Sequence, residues 1–178
     1  MTLYDKVVEF VDISFGGRSK SHFERTVYWL EKFSQVFSEA HKIAAYSHDI
    51  ERGVSGEKDR DYLNPDFIRM HQEVGAAIME NFLRENNASE KTIEKVKHLI
   101  SKHEVGGDAE QDALMDADSV SFMETNAKNF VLNRVKEEGY QKIKGKLDWM
   151  FDRITTPERK SFARENYNEW MTKLAEYE

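Results

Sequence analysis

The sequence predicts an all-α protein folded as a single domain. Only two prolines interrupt its 178 residues, and alternating β-branched residues are scarce. Apolar residues recur instead at helical spacing, and 12% of all residues are aromatic, which indicates a packed core beneath strongly charged outer faces. A chain of this length buries roughly two thirds of its unfolded surface. It can therefore fold without disulfides, which the absence of cysteine excludes.

Helix boundaries follow from apolar stripes, capping residues and breakers. Gly16-Gly17 is the strongest breaker, and Asn64 with Pro65 forms the N-cap and first position that helix starts prefer. The predicted segments, in order, are a helix from Leu3 that ends before Gly16, a helix capped by Ser19 or Ser21, a helix at about 39–50, a polar loop at 51–63, a helix opening at Asn64, a helix from Ser89 to about His103, a helix at 113–123, and two or three more divided near Gly139 and at Thr156-Pro157.

Composition and charge narrow the class of protein. The net charge is −7 and basic residues are spread among acids, so a surface for long nucleic acid is not expected. The start of the chain does not resemble a signal peptide and no apolar stretch approaches a membrane span, which predicts a cytoplasmic protein without membrane contact. Without cysteine, imidazole and carboxylate are the available metal ligands, and they suit Mn, Fe, Co, Ni, Zn or Mg.

Histidine and aspartate recur along the chain in an order that predicts a metal site. His48 and Asp49 close the apolar run at 43–47, and adjacent residues of a helix point about 100° apart. Other helices must therefore supply the remaining ligands. Singly, a histidine is more often an ordinary side chain, as we expect for His41 and His98, but buried carboxylates are costly unless they are paired or bind a cation. The candidates for the remaining positions are His22, His71, His103, Asp116 and Asp118.

Five segments, in the right order, resemble the motifs of the HD-domain superfamily of metal-dependent phosphohydrolases, and more closely a small bacterial group within it. The matching segments are 21–27, 44–50 closed by His48-Asp49, 71–76 as H-x-x-x-G-A, 100–104 as I-x-x-H, and 114–120 as the closing D-A-D-x-L, where Val120 replaces leucine. The resemblance covers about residues 20–125 and fades afterwards. It implies a helical bundle of HD-domain type, with residues 126–178 as additional C-terminal helices packed on the same domain.

The resemblance also implies a set of metal ligands. His22, His48, Asp49 and Asp118 would bind a divalent cation, and Asp118 is preferred to Asp116, which would be a supporting or surface acid. In dinuclear members, positions matching His71 and His103 bind a second metal with the aspartate of the HD pair as a bridge. The alternative is that His71 and His103 contact substrate phosphate.

Further residues are candidates for catalysis and phosphate binding. Asp49 and Glu51 are the predicted catalytic acids, where Glu51 is either a general acid or base beside the metal or a solvated loop carboxylate. Arg18, Lys20 and Arg25 are the predicted phosphate-binding cations, since arginine can bind phosphate through two nitrogens. Arg52 and Arg69 are additional candidates, and for each cation a solvated salt bridge is the competing interpretation.

The function implied by the resemblance is hydrolysis of a phosphoester bond in a nucleotide or another small phosphorylated metabolite. Two alternatives belong to other classes. In the first, the same pocket binds a metal and a phosphorylated ligand without turnover. In the second, a di-iron centre carries out oxygenase chemistry, because a few members of the superfamily use this ligand order for iron. A homodimer is compatible with the apolar faces of the C-terminal segment.

Overall fold

The computed structural model describes residues 1–56, 61 and 63–178, and all regular structure in that part of the chain is helical. The predicted fold class is therefore confirmed. The helices are α1 (Leu3–Ser14), α2 (Lys20–Phe33), α3 (Glu39–Ser47), α4 (Ile50–Ser55), α5 (Pro65–Glu85), α6 (Glu90–Ile100), α7 (Ala109–Thr125), α8 (Ala127–Asn129), α9 (Val135–Glu138), α10 (Tyr140–Asp152) and α11 (Pro157–Leu174), with a π-helical turn at Phe130–Arg134 and a 3-10 turn at Ala175–Tyr177.

Several predicted boundaries are confirmed by the capping contacts. Asn64 Oδ1 accepts hydrogen bonds from the backbone N–H groups that follow Pro65, and Ser89 Oγ accepts one from Thr92 N. Gly139 adopts a positive φ of 85° between α9 and α10, a conformation that glycine reaches without a steric penalty. Side chains with oxygen acceptors thus begin helices where the sequence places them.

The loop predicted from residue 51 is wrong, and the predicted cap at Ser19 lacks its side-chain hydrogen bond. The polar loop predicted from residue 51 begins instead with α4, because Ile50 and Glu51 are both buried and hold the backbone in a helical turn that ends at Gly56 in the left-handed region. Ser19 stands at the N-cap of α2 but makes no capping hydrogen bond through its side chain, since its φ is 66°. The other predicted loop positions at 57–60 and 62 lie outside the described residues.

Helix α7 is the centre of the bundle, and nearly all of its length is buried. It starts at Ala109, four residues earlier than predicted, because Asp108 and Gln111 form a capping box. Helices α2, α10 and α11 all pack against it, and α6 packs against both α3 and α5. A helix buried on every side has to pair its polar residues with neighbours. The acids and hydroxyls of α7 therefore need hydrogen-bond partners on the elements that pack around it.

None of the helices in the described ranges is both long enough and apolar enough to cross a membrane.

Candidate metal centre

An interruption between α3 and α4 brings the side chains of His48 and Asp49 to the same space. Asp49 has φ −93° and ψ 11°, outside the regular helical region, and α4 begins directly after it. His48 Nε2 and Asp49 Oδ2 are 3.9 Å apart as a result. In an uninterrupted helix these two side chains would diverge by about 100°. The interruption of the helix therefore allows two adjacent side chains, His48 and Asp49, to approach one site.

Four further elements complete what we call the histidine–acid cluster. The cluster consists of His22 from α2, His48 and Asp49, His71 from α5, His103 and Glu104 from the turn after α6, and Asp118 from α7. All four histidines are buried, with at most 2% of their surface exposed. The sequence-predicted metal ligands are therefore brought together from distant parts of the chain.

The first half of the cluster surrounds an oxygen of Asp118. His22 Nε2 lies 3.1 Å from Asp118 Oδ1, and His48 Nε2 lies 3.4 Å from the same oxygen. His22, His48 and Asp49 also offer ligand atoms that all lie within 4.8 Å of one another. Two metal–ligand bonds of about 2.0–2.2 Å span a comparable distance. These side chains could hold one metal ion.

The second half shares Asp49 with the first. His71 Nε2 is 3.0 Å and His103 Nε2 is 3.7 Å from Asp49 Oδ1. Glu104 Oε1 lies 3.9 Å from His71 Nε2 and 4.0 Å from His103 Nε2. The potential ligand atoms of these four residues also lie within 4.8 Å of one another. This arrangement could hold a second ion on the other side of Asp49.

Each ring of the cluster is oriented through Nδ1, so that Nε2 faces the other ligands. Such support is usual for metal-binding histidines, because it fixes both the ring plane and the tautomer. The Nδ1 partners are Ser121 Oγ at 3.0 Å for His22, Ala45 O at 2.9 Å for His48, the Glu51 carboxylate at 2.6 Å for His71 and Ile100 O at 2.8 Å for His103.

Two of the Nε2 atoms show that the cluster suits a cation. His48 Nε2 and His103 Nε2 are buried and have no hydrogen-bond partner in the structure. Unsatisfied polar atoms at this depth are unusual and costly. A metal ion is the partner that imidazole nitrogens and neighbouring carboxylate oxygens can share. The buried imidazoles and acids therefore fit a metal ion.

Cations balance the charges of the acids in the cluster. Arg52 Nη2 donates to Glu104 Oε1 at 2.7 Å, and Arg153 Nη2 donates to Asp118 Oδ2 at 2.5 Å. Burial raises the pKa of Asp118, but the charges of His48 and Arg153 outweigh it and hold the pKa well below its usual range. Burial likewise raises the pKa of Asp49, which the charge of Arg52 and then that of His48 keep low. Both aspartates are ionised at neutral pH.

Burial and the neighbouring acids also shift the pKa values of His48 and Lys146. Burial lowers the pKa of His48, but the charges of Asp118 and Asp49 outweigh it and raise the pKa to about 9. Burial lowers the pKa of Lys146 to about 7, although the charge of Glu104 opposes the change. A metal ion that binds His48 must therefore displace a proton near neutral pH.

A small cavity opens onto the cluster. It has a volume of about 40 Å³, and four residues of the cluster are part of its lining. This volume suits a few water molecules and is far below the roughly 300–1,000 Å³ of typical ligand pockets. Its lining consists of His22, Asp49, Arg52, Glu104, Asp118, Phe122, Asn126, Phe130, Lys146 and Met150.

Three of the predicted phosphate-binding cations bond elsewhere. Lys20 Nζ pairs with Asp12 Oδ2 at 3.2 Å, and the exposed Arg18 donates from Nε to the carbonyl of Phe15. Arg25 forms two hydrogen bonds with Glu124. These three are not among the residues that line the cavity. Their bonds match the competing interpretation of solvated salt bridges and local contacts, which is the arrangement common on charged surfaces.

The remaining candidates divide in the same way. Arg69 is exposed and pairs with Asp66 at 3.2 Å, whereas Arg52 lines the cavity. Glu51 is neither a solvated nor a loop residue, because it is 3% exposed within α4 and its carboxylate contacts His71. His98, with 44% of its side chain exposed, pairs with Asp108 Oδ2 at 2.7 Å.

His98, Asp108 and Glu110 also form a third group with metal-ligand spacing, but it is exposed. Asp108 already caps α7 and Glu110 already binds Lys95, so local contacts account for this group.

Sequence reasoning missed three residues of this site. Glu104 directly follows His103, so its place beside a candidate ligand was a usable signal. Lys146 and Arg153 are separated from every motif and carry no local pattern that would distinguish them from surface cations. Both are nevertheless buried in the site, Lys146 with 2% of its surface exposed and Arg153 with 6% of its side chain exposed. The C-terminal segment thus contributes to the cluster directly.

A comparison with protein families assigns the chain. The family model described as "Domain of unknown function (DUF4202)" matches residues 14–175, which include every member of the histidine–acid cluster. The chain belongs to the DUF4202 family. The matched region of this DUF4202 domain runs through α10 and α11, so the segment that carries Lys146 and Arg153 is part of the family's unit. Neither a curated protein nor a solved structure matches this chain.

Proposed function

We propose that this DUF4202 chain is a metal-dependent phosphohydrolase of the HD-domain type. The observation that carries the proposal is the shared oxygen of Asp118, which lies 3.1 Å from His22 Nε2 and 3.4 Å from His48 Nε2. Asp49 stands beside the same pair. These are the residues that the resemblance of five sequence segments to the HD-domain superfamily assigns to the first metal.

The proposed cofactor is a divalent ion from the group Mn, Fe, Co, Ni, Zn and Mg. Nitrogen-rich ligand sets favour the transition metals over Mg²⁺, which prefers oxygen ligands and keeps its water. Asp49 contributes Oδ2 on the side of His48 and Oδ1 on the side of His71. Its carboxylate could therefore bridge two ions, which supports the dinuclear alternative for His71 and His103 over direct phosphate contact.

The proposed chemistry is hydrolysis of a phosphoester bond beside the metal ligands. A bound ion would act as a Lewis acid on a phosphoryl oxygen and would make a bound water more acidic. Arg52 and Lys146 line the cavity and offer positive charge to a phosphoryl group. Phe122, Phe130 and Met150 form apolar walls of the same cavity.

The cavity also restricts the substrate. A volume of about 40 Å³ is too small for a nucleoside, so only the phosphoryl end would enter the described cavity. The rest of a nucleotide or sugar phosphate would remain outside, or the walls would have to move to admit it. A small terminal phosphomonoester is therefore the substrate class that fits best.

Phosphate release from a panel of nucleotides and small phosphomonoesters tests the proposal, with Mn²⁺, Co²⁺, Ni²⁺ or Mg²⁺ added to the protein. Asp49→Asn should abolish the release, because it replaces the shared carboxylate with an amide of the same shape. Asp66→Asn is a suitable control, since its side chain is 89% exposed and lies outside the cluster. Equal rates for the wild type and Asp49→Asn with every metal would contradict the proposal.

A binding module without turnover is the second candidate. It is favoured by Glu51, whose carboxylate lies 2.6 Å from His71 Nδ1 and orients that ring, so it is poorly placed to act as the general acid. Thermal stabilisation of the metal-loaded protein by a phosphorylated compound, with no product formed, would support this candidate over the enzyme. Release of phosphate from that compound would exclude it.

A di-iron oxygenase is the third candidate, and the two groups of ligands that share Asp49 favour it. Purification without chelators followed by elemental analysis separates it from the others. Two iron atoms per chain and an absorbance that changes with oxygen would support it. A colourless protein with one ion per chain would exclude it.

A further inference from the structure

Arg153 is not a member of the histidine–acid cluster, but it binds two of its acids, Asp118 and Glu104. It follows the last residue of α10, and 6% of its side chain is exposed. Nη2 donates to Asp118 Oδ2 at 2.5 Å, and Nη1 donates to the Glu104 carboxylate and, at 3.1 Å, to the Glu104 carbonyl. Nε donates to Ser119 Oγ at 2.7 Å. Every nitrogen of this guanidinium therefore has a defined partner.

The guanidinium uses one oxygen of each acid and leaves the other oxygen to the cluster. Asp118 presents Oδ2 to Arg153 and Oδ1 to the two histidines His22 and His48. Glu104 presents Oε2 to Arg153. Its other oxygen, Oε1, faces Arg52 and lies within 4.0 Å of His71 Nε2 and His103 Nε2.

We infer that Arg153 is the positioning residue of the metal centre, which holds the ligand oxygens of Asp118 and Glu104 toward the ions. The inference rests on the proposed metal centre. A planar guanidinium can bind two carboxylates in fixed directions, which the single ammonium of a lysine cannot do. Asp118 comes from α7 and Glu104 from the turn after α6, so Arg153 also sets the distance between the two halves of the cluster.

The C-terminal segment has a second attachment that serves as a reference. Arg159 Nη1 donates to Asp116 Oδ2 at 2.8 Å, and its Nη2 donates to the carbonyl of Phe33 at 3.0 Å. Arg159 thus binds an aspartate of the same helix, α7, through the same type of side chain. It does not contact the histidine–acid cluster. Loss of either arginine should loosen the segment, but only loss of Arg153 should disturb the metal ligands.

The test compares Arg153→Met, Arg153→Lys and the control Arg159→Met with the wild type. Co²⁺ is titrated into chelator-treated protein by calorimetry, and visible absorption records the ligand geometry around the bound ion. Thermal unfolding measures the general cost of each substitution. We expect Arg153→Met to bind Co²⁺ about 10- to 100-fold more weakly and with an altered spectrum, as is typical when a residue that orients a ligand is removed.

The other two variants make the result specific. Arg159→Met should lose thermal stability but keep the affinity and spectrum of the wild type. Arg153→Lys should recover only part of the affinity, since an ammonium does not reproduce the fork of the guanidinium. The same loss of Co²⁺ affinity in Arg159→Met and Arg153→Met would overturn the inference, because it would mean that loosening the segment is sufficient.

Two further outcomes separate this inference from the proposed function. If Arg153→Met binds Co²⁺ as tightly as the wild type or more tightly, the guanidinium merely balances charge and its positioning role is wrong, while the metal centre stands. If the wild type binds no Co²⁺, the metal centre and the role of Arg153 are both wrong.

Discussion

Asp116 and Asp118 lie on different sides of α7, and both bind an arginine, but their other neighbours differ. Asp116 and Asp118 are both buried, and each accepts a hydrogen bond from an arginine of the C-terminal segment. Asp116 accepts its other hydrogen bonds from the backbone N–H and hydroxyl of Thr155. Asp118 instead directs Oδ1 at His22 and His48.

The difference lies in the neighbours of each acid. Within the described part of the chain, the hydrogen-bond partners of Asp116 are the donors that an anchoring carboxylate needs. Around Asp118 the structure leaves His48 Nε2 buried without a hydrogen-bond partner. Burial and pairing with arginine therefore do not identify a ligand acid. An imidazole nitrogen that lacks a hydrogen bond beside the acid instead marks a candidate ligand acid, because a cation could be shared by the two groups.

Loss of Asp118 should have the largest effect on metal binding. Asp118→Asn replaces an anionic oxygen that faces two histidines, and the affinity for Co²⁺ should fall more than about 100-fold, beyond the effect of losing a supporting residue. Phosphate release should disappear with it. Equilibrium dialysis with elemental analysis measures the affinity. An Asp118→Asn protein that retains Co²⁺ would remove the distinction between the two sides of α7.

Loss of Asp116 should affect stability instead. Asp116→Asn breaks a buried ion pair with Arg159 and should lower the free energy of unfolding by about 3 kcal/mol. Denaturant unfolding of the metal-free protein measures this cost. The affinity of the folded variant for Co²⁺ should stay close to that of the wild type. A large loss of Co²⁺ affinity would show that Asp116 also belongs to the metal centre.

Glu51 tests whether an acid that only orients a histidine matters. Glu51→Gln weakens the 2.6 Å contact with His71 Nδ1, and Co²⁺ affinity should fall about tenfold. Glu110→Gln is the matched control, because Glu110 Oε1 lies 3.3 Å from His41 Nε2, outside the cluster. Calorimetric titration of both variants measures the difference. Equal effects of the two substitutions would contradict a role for Glu51 in the metal centre.

Lys146 has no predicted role as a ligand, and the effect expected from it is a dependence of stability on pH. Burial lowers its pKa to about 7, so the folded protein releases a proton that the unfolded chain keeps up to about pH 10. The unfolded state then binds more protons, and the stability of the metal-free wild type should rise relative to Lys146→Met between pH 7 and pH 10. Thermal unfolding at several pH values measures this difference. Parallel curves for the two proteins would contradict the lowered pKa of Lys146.

Much of the fold could be predicted from sequence because its signals are local. Apolar periodicity and caps such as Asn64-Pro65 act within a few residues, and they place most helices correctly. The prediction failed at residue 51, where burial of Ile50 and Glu51 extends helical structure into a polar sequence. A tertiary contact overrides local composition there, as commonly happens for short helices.

The candidate site was predictable only where its residues lie within motifs. His22, His48, Asp49 and Asp118 stand in the segments that resemble the HD-domain superfamily, and they do converge. The cations of the site could not be predicted in the same way. No local sequence pattern distinguishes the partners of Arg25 and Arg153. Arg25 binds Glu124, which lies outside the cluster, whereas Arg153 binds Asp118. The pairing depends on how α10 lies against α7, which no local pattern encodes.

The interruption at Asp49 also limits how the chain can change in length. Four consecutive positions across the start of α4 contain two members of the cluster, His48 and Asp49, and also Glu51, which contacts His71. One inserted or deleted residue here would rotate the following side chains by about 100° and turn Glu51 away from His71. Homologous chains should therefore vary in length at exposed loops while keeping this largely buried tetrapeptide ungapped.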